Sequence, residues 1–219
     1  ATRSGQTLGD VVEAADGKGR SLNVLRRADN DFYSQQGHRR KRGLAPTRAN
    51  LASLPKYLAC PVDANGKAQV AKTGMGSSAA LITSLVGALV ALFNGTDLAR
   101  PEGKDLAFKV AQICHAVAQG KVGSGFDVCA ATWGSHCYTR FSQTVLQPVL
   151  SSDAPLSAGV SPSFVAPMVS TSTSTSTSTS SNWDHQVEGF QLPPGFELLM
   201  GDICGGSETP SMVRKVLAW

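Results

Sequence analysis

The chain has 219 residues, enough for one hydrophobic core or two small ones. It is 42% hydrophobic with 22 glycines and only 6% aromatic residues, which favours an α/β or α+β enzyme over a disordered or fibrous protein. The net charge of +4 and the isoelectric point near 8.9 suit anionic small substrates but also an ordinary soluble protein. Five cysteines without a CxxC pair or zinc spacing indicate a reduced, intracellular compartment.

The first third of the chain carries weak structural signals. The alternation at Leu22–Leu25 predicts a short strand, and Asn50–Leu58 predicts a short helix with Asn50 as its N-cap. The basic run at residues 38–42 predicts a solvated loop. A nuclear signal or nucleic-acid patch is the alternative, although no aromatic residues interleave with the basic ones.

The most informative segment is KTGMGSSAALITSLVGALVALF at residues 72–93, a glycine-serine loop that leads into an apolar helix. Gly74 and Gly76 allow the backbone to turn tightly and to lie against a ligand, because neither carries a Cβ. Ser77 and Ser78 stand where the helix begins, so unpaired N–H groups and the positive end of the helix dipole face the loop. Such a site favours phosphate.

The helix predicted over residues 77–93 is apolar nearly all round, which indicates burial with both sides covered, against a sheet. Its apolar part, Ala79–Phe93, is fifteen residues long and too short to cross a bilayer. Asn94 and Gly95 predict the helix end, since both tolerate the left-handed C-cap.

A second helix is predicted over Asp105–Gln119, and Gly120 ends it. Its apolar stripe comprises Leu106, Val110, Ile113, Cys114 and Val117. His115 stands on or beside this stripe and is interpreted as a satisfied helix histidine. A second glycine loop follows at residues 120–127, where Asp127 is a candidate N-cap for the segment at 128–131. Cys129 is interpreted as a packing residue, not a nucleophile.

The last third combines a linker with the start of another unit. Residues 170–181 alternate Ser and Thr without an apolar residue, so the whole segment 151–181 predicts a flexible insert. A strand at Phe196–Met200, a turn at Gly201–Ser207 and a helix at Thr209–Trp219 follow. The chain begins with Ala1 and ends inside this predicted helix, so we expect it to be part of a longer polypeptide.

Loop-to-helix junctions thus recur at residues 74–78, 123–128 and 205–211, a pattern typical of a site that handles more than one phosphoryl group. No Gly-Lys pair is followed by Ser or Thr, and no HRD or DFG motif occurs, so neither a Walker A loop nor a protein kinase is indicated.

These loops resemble the GHMP kinases. GMGSSAA at residues 74–80 is similar to the second signature of that family. Lys72-Thr73, AQGKVGSGFD at 118–127 and GGSETPSMV at 205–213 resemble its eukaryotic-type phosphomevalonate kinase branch, as do NDFYS at 30–34, WDH at 183–185 and LPP at 192–194. The family's first and third signatures do not occur, and Met75 replaces the usual leucine.

The resemblance implies an α+β GHMP kinase fold, a two-domain α/β sandwich-like architecture that is incomplete at both ends. Residues 1–150 would form the ATP-binding N-terminal domain without its first strands. Residues 151–181 would be the low-complexity insert, and residues 182–219 the start of the C-terminal domain.

The activity that the resemblance implies is ATP-dependent phosphorylation of 5-phosphomevalonate to 5-diphosphomevalonate, on the mevalonate route to isoprenoids and sterols. ATP and Mg²⁺ would be the cofactors. The enzyme would act on a small molecule, without nucleic acid or membrane, in the cytoplasm or alternatively in the peroxisome. Another GHMP kinase, such as mevalonate kinase, and an inactive fragment remain the alternative interpretations.

The family's site residues transfer onto positions of this chain. The ATP loop would comprise Gly74, Met75, Gly76, Ser77, Ser78 and Ala79, with the Ser78 hydroxyl available to Mg²⁺. Lys72 would neutralise phosphate, or else mark a surface strand end. Asp127 would be the base or orienting group near the acceptor oxygen. The substrate would be held by Lys121, Ser124, Gly125, Ser207 and Thr209, for whose serines and threonine helix capping is the alternative role. Glu208 places a negative charge beside the last two.

Overall fold

The computed structural model describes residues 24–25, 27–151, 162–169, 183–199, 215–216 and 218–219. In this part the helices are α1 (Gln36–Lys41), α2 (Arg48–Ala52), α3 (Ser77–Asn94), α4 (Pro101–Gln119), α5 (Phe126–Trp133), α6 (Gln147–Leu150) and α7 (Pro162–Val169). The strands are β1 (His136–Thr139) and β2 (Gln186–Gly189), and single 3₁₀ turns lie at Asn30–Phe32 and Gln143–Val145.

The described residues fall into two compact units. The loop unit comprises residues 27–77 together with the described residues beyond 194, and the helical unit comprises residues 24–25 and the described residues from 78 to 194. The domain organisation expected from the sequence stays a prediction.

The helical unit is built around α4. This helix contacts α5, α6 and α7, and α5 in turn contacts β1. Strands β1 and β2 pair antiparallel, with His136 opposite Gly189 and Thr139 opposite Gln186. Phe108 of α4 is fully buried at the centre, where its ring meets Trp133 edge-on with 4.8 Å between centroids.

The segment that carries β2 is attached to this core by polar contacts as well as by packing. Trp183 donates from Nε1 to the Met168 carbonyl at 2.8 Å. Asp184 accepts from the backbone and hydroxyl of Ser142. The His185 ring lies 4.6 Å from the Phe108 ring, centroid to centroid.

Helix α3 begins at Ser77 and ends at Asn94, followed by Gly95 with φ of +63°, so its predicted start and end are confirmed. The expectation that both sides are covered is wrong for the described structure. Val86 is buried in the core, but Leu92 is 62% exposed. With 18 residues and a mean hydropathy of 1.7, α3 is by length and composition alone able to cross a membrane, which corrects the fifteen-residue estimate. Core helices of soluble proteins pass the same test.

Helix α4 starts at Pro101, four residues before the predicted Asp105. The cause is the proline, whose fixed φ and missing N–H suit the first helical position. The buried face also differs from the predicted stripe. Cys114 is exposed, whereas Gln112 and His115 are buried.

Further predictions for the loop unit are corrected. The basic run forms α1 and not a loop, because Gln, Arg and Lys are good helix formers and basic side chains favour the C-terminal turn. Helix α2 is shorter than predicted, and its N-cap is Thr47, whose side chain accepts from the Asn50 N–H. Thus Asn50 lies inside the helix.

Two predicted strands are not formed in the described residues. Residues 24–25 and 196–199 adopt no strand, since no described strand pairs with either segment. Leu199 is 96% exposed, as expected for an apolar strand sequence without a neighbour. Of the predicted C-terminal helix, residues 215–216 are helical and 218–219 are not. The flexible insert predicted at 151–181 is partly wrong, because residues 162–169 form α7 and Met168 of this helix is buried in the core. Residues 152–161 and 170–181 lie outside the described residues.

Candidate active site

The glycine loop in front of α3 has the backbone expected of a phosphate loop. Gly74 and Gly76 adopt φ of +77° and +74°, values that favour glycine. Ser77 is buried, whereas Met75 and Ser78 are exposed. The first N–H groups of α3 have no partner within the helix and are available to an anion.

The strand-like segment before this loop is paired with the NDFYS motif. Ser34 donates its N–H to the Ala71 carbonyl at 2.7 Å, and Thr73 donates to the Phe32 carbonyl at 3.2 Å. Tyr33 and Lys72 face each other in an antiparallel bridge. Two motifs that were far apart in the sequence are therefore neighbours in the loop unit. The Lys72 side chain is exposed and makes no ion pair with a described residue.

Asn30, the first residue of that motif, is the buried anchor of the loop unit. Its Nδ2 donates to the Pro55 carbonyl, and its Oδ1 accepts from the Leu58 N–H at 3.0 Å. Lys56 forms an ion pair with Asp29 at 3.3 Å. The segment at 55–58 is thereby fixed to the motif.

A cavity of about 890 Å³ lies in the loop unit beside this pairing. Its walls include the rings of Tyr33 and Tyr57 and the exposed thiol of Cys60, and they reach Ala71, next to Lys72. Arg27 and His38 line it, and none of the lining residues that the structure describes is acidic. The Oε1 atom of Gln35, another lining residue, is buried without a hydrogen-bond partner in the described structure. No sequence pattern predicted this cavity.

Asp127 lies in the helical unit, in the first turn of α5. The N-cap is Gly125 and not Asp127, because α5 begins at Phe126, two residues earlier than expected. The Asp127 carboxylate accepts from the Val128 N–H at 3.0 Å through Oδ1, and its side chain is 25% exposed. An acid in the first turn also interacts favourably with the helix dipole.

The loop that leads to Asp127 is held at several backbone positions. Arg140 donates to the Gly123 carbonyl at 3.0 Å. Gln112 donates to the Gly125 carbonyl at 2.7 Å, a buried bond. The side chains of Lys121 and Ser124 are exposed, and Gly125 is buried.

Two residues near Asp127 were not predicted to contribute to the site. Gln112 was passed over, and His115 was interpreted as a histidine satisfied within its helix. The His115 Nε2 lies 2.8 Å from the Gln119 amide and 4.0 Å from Asp127 Oδ2. The spacing of Gln112, His115 and Gln119 along one helix face was the available signal. Burial raises the pKa of the neighbouring Cys129 thiol to about 12, which agrees with its interpretation as a packing residue.

The predicted site residues fall into two groups, here called half-sites, one at each glycine loop. The first comprises Lys72, Gly74, Met75, Gly76 and Ser77 of the loop unit together with Ser78 and Ala79 of the helical unit. The second comprises Lys121, Ser124, Gly125 and Asp127 of the helical unit. Ser207 and Thr209 lie outside the described residues.

Comparison with known proteins gives a family match for residues 52–135. Residues 52–135 match the model of the GHMP kinases N terminal domain. These residues form a GHMP kinase N-terminal domain. The match spans both half-sites, and the expected α+β class is confirmed by it and by the mixture of helices and strands.

The chain is also similar to named phosphomevalonate kinases. It is 37% identical over 215 residues to "Phosphomevalonate kinase, peroxisomal" of Arabidopsis thaliana, covering 90% of this chain and 40% of the relative. It is 40% identical over 214 residues to the phosphomevalonate kinase of Aspergillus fumigatus, covering 95% of this chain and 39% of the relative. An archaeal phosphomevalonate kinase, from Saccharolobus solfataricus, is 33% identical over 125 residues, or 51% of this chain and 36% of the relative.

The chain therefore spans about 40% of the length of the relatives from Arabidopsis and Aspergillus. No solved structure gave a significant match to it.

Proposed function

We propose that the protein containing this chain transfers the γ-phosphoryl group of ATP to 5-phosphomevalonate, giving 5-diphosphomevalonate and ADP. The observation that carries the proposal is the identity of 37% and 40% to phosphomevalonate kinases over 90% and 95% of the chain. The GHMP kinase domain supports the use of ATP. The product would enter isoprenoid and sterol biosynthesis.

The reaction joins two polyanions. A phosphate oxygen of 5-phosphomevalonate attacks the γ-phosphorus of ATP, and a new P–O bond forms. The bond from that phosphorus to the oxygen that bridges it to the β-phosphate breaks, and ADP leaves with the electron pair. Since the protein forms no covalent bond, positioning and charge neutralisation would supply most of the rate.

The glycine loop would hold the triphosphate. Gly74 and Gly76 let the backbone approach the phosphates, and the N–H groups of Ser77, Ser78 and Ala79 would donate to their oxygens. Met75 completes the loop. Lys72, exposed and without an ion pair in the described structure, would neutralise phosphate charge as a mobile point charge.

The cavity of the loop unit would take the nucleoside. Tyr33 and Tyr57 provide aromatic surface for a base, and Arg27 provides a positive charge without an acidic neighbour in the lining. The unpartnered Gln35 Oε1 is an acceptor, and the exocyclic amine of adenine is a donor that could satisfy it.

Ser78 fits the Mg²⁺ role assigned to it. The described residues contain no group of three His, Cys, Asp or Glu side chains that could hold a metal ion. Mg²⁺ in kinase sites needs only one or two protein oxygens in addition to substrate phosphates and water, and the exposed Ser78 side chain supplies one. When bound, the ion neutralises charge on the phosphates.

The second half-site would receive the acceptor. Asp127 would orient the attacking phosphate oxygen and accept its proton when it carries one. Lys121, Ser124 and the Gly125 backbone would bind the substrate, the first two through exposed side chains on the loop before α5. Ser207 and Thr209 are proposed to contribute as well.

The setting of the enzyme is a further part of the proposal. The Arabidopsis relative is named as peroxisomal. We propose the cytoplasm or the peroxisome for this protein, with a small-molecule substrate and without a nucleic-acid or membrane partner. The N-terminal domain would extend to residue 150, and the C-terminal domain would begin at residue 182.

The test is a substrate panel with the protein expressed from its complete open reading frame. ADP release should require 5-phosphomevalonate. Release with mevalonate instead would favour mevalonate kinase, and release with neither would favour an inactive copy. Carbon dioxide is measured in parallel and should not form, because phosphoryl transfer breaks no carbon–carbon bond.

A further inference from the structure

Two polar side chains on α4 lie inside the otherwise apolar core of the helical unit. Gln112 is 3% exposed and His115 is 6% exposed. Burial of polar groups costs free energy unless they are hydrogen-bonded, so each should have a compensating role. The partners of both side chains lie at the Asp127 loop or next to it.

Gln112 fixes the backbone from which α5 starts. Its Nε2 donates to the Gly125 carbonyl at 2.7 Å, and the same carbonyl accepts the first helical bond, from the Cys129 N–H at 3.0 Å. The amide therefore holds the N-cap of α5. Asp127 follows two residues later, so its Cα position depends on this contact.

His115 faces the carboxylate itself. Its Nε2 lies 4.0 Å from Asp127 Oδ2, whereas the Val128 N–H donates to the other carboxylate oxygen, Oδ1. The Gln119 amide nitrogen, at 2.8 Å, donates to the same imidazole nitrogen. A half-turn of that amide would present its oxygen and let the imidazole donate instead. The ring is thus held between a helix neighbour and Asp127.

We propose that Gln112 and His115 are positioning residues for Asp127. Gln112 sets the start of α5, and His115 limits the rotation of the Asp127 side chain, so that the carboxylate points where the acceptor oxygen arrives. This inference rests on the proposed function. Neither residue touches substrate, and both act only through Asp127 and its loop.

The test compares His115→Phe, His115→Gln and Gln112→Met in the full-length protein. His115→Phe keeps a buried ring without nitrogens, and Gln112→Met keeps length without the donor. Both should lower kcat by about tenfold to a hundredfold, the effect of a small misplacement of a reacting group, with the KM values of ATP and 5-phosphomevalonate unchanged. His115→Gln should recover most of the lost turnover, since its amide reaches the position of Nε2 and its oxygen can accept from Gln119 there.

A matched control is His185→Phe. His185 is a partly buried histidine of the helical unit, but it pairs with Asp105 and not with Asp127. This variant should lower the melting temperature and leave kcat unchanged well below it. If His115→Phe does not fold, His115→Gln and Gln112→Met still test the inference, because turnover is measured per folded molecule.

The outcomes separate the two proposals. A wild-type protein without 5-phosphomevalonate-dependent ADP release overturns the proposed function and this inference with it. An active wild type with wild-type kcat in His115→Phe and Gln112→Met overturns the inference alone. So does a rise in KM at constant kcat, or a failure of His115→Gln to recover turnover.

Discussion

The two glycine loops of the candidate site differ in how closely other atoms pack against their glycines. At Gly74, φ is +77° and no described atom lies within 4 Å of where a Cβ would be. At Gly125, φ is +79°, but a Cβ would lie 2.6 Å from Gln112 Nε2 and 2.9 Å from Phe141. The first loop is open and the second is packed.

This difference suits the two proposed tasks. A phosphate loop needs bare backbone that a ligand can reach, so open space beside Gly74 is what a bound triphosphate would fill. A loop that aims a carboxylate must instead be fixed before the substrate arrives. Gly125 is packed against the side chain that holds its own carbonyl, which makes the Asp127 half-site rigid.

The largest expected effect is at Asp127. Asp127→Ala should lower turnover of the full-length protein by about 10² to 10⁴-fold, because an orienting or proton-accepting group is lost. The fold should persist, since the carboxylate is partly exposed and accepts its backbone hydrogen bond from the adjacent Val128 N–H. Steady-state ADP release measures the first effect, and circular dichroism the second.

The control for that variant is Asp97→Asn. Asp97 pairs with Arg100 on the surface, with both side chains more than half exposed, and it should not affect turnover. Unchanged turnover in Asp127→Ala would remove this residue from the mechanism.

The comparison of the two loops predicts a stability difference. Gly125→Ala should cost about 3 kcal/mol or more, because the positive φ and the clash with Gln112 and Phe141 add. Gly74→Ala has only the positive φ against it and should cost about 1 to 2 kcal/mol. Urea unfolding of the two variants gives the difference. Equal losses of unfolding free energy in the two variants would show that the side chains around Gly125 move aside without a free-energy cost.

The parts of the fold that were predicted correctly rest on strong local signals. The start of α3 follows from a glycine loop before an apolar run, and its end from Asn94 and Gly95. The end of α4 follows from Gly120, which adopts φ of +64°. These signals act within a few residues of each other, so no knowledge of the tertiary structure is needed.

The incorrect predictions concern residues whose burial or pairing depends on a distant part of the chain. Cys114 belongs to the apolar pattern but is exposed, while Gln112 is buried because Gly125, thirteen residues later, offers it a carbonyl. The segment at 196–199 has a strand sequence but no described partner strand. Pairing between residues 31–34 and 71–73 likewise joins segments that sequence patterns alone could not connect.

A protection experiment would test whether the nucleoside of ATP binds in the cavity of the loop unit. Cys60 is exposed and lines the cavity of the loop unit, whereas Cys137 is exposed on β1. ATP should slow alkylation of Cys60 and leave the rate at Cys137 unchanged, because a nucleoside in the cavity covers the first thiol only. Mass spectrometry of labelled peptides gives both rates in one sample. Equal rates at Cys60 with and without ATP would exclude the nucleoside from this cavity.

The smallest expected effect concerns the helical unit and pH. Burial lowers the pKa of His185, an effect that Lys109 reinforces and that Asp105 and Asp184 oppose. The unfolded chain, with a histidine pKa near 6.5, then binds a proton at a higher pH than the folded chain does. Unfolding therefore takes up a proton just below that pH, and the free energy of unfolding should fall as the pH drops from about 6.5 until the folded pKa is passed.

His185→Phe should remove this part of the pH dependence, while the ring contact with Phe108 is kept. Thermal midpoints measured for both proteins at several pH values between about 5 and 8 test it, in the range where histidines titrate. The two curves should converge towards acid pH, where protonation of His185 destabilises only the wild type, and separate towards neutral pH. Parallel curves would mean that His185 takes up its proton equally well in the folded and unfolded chains.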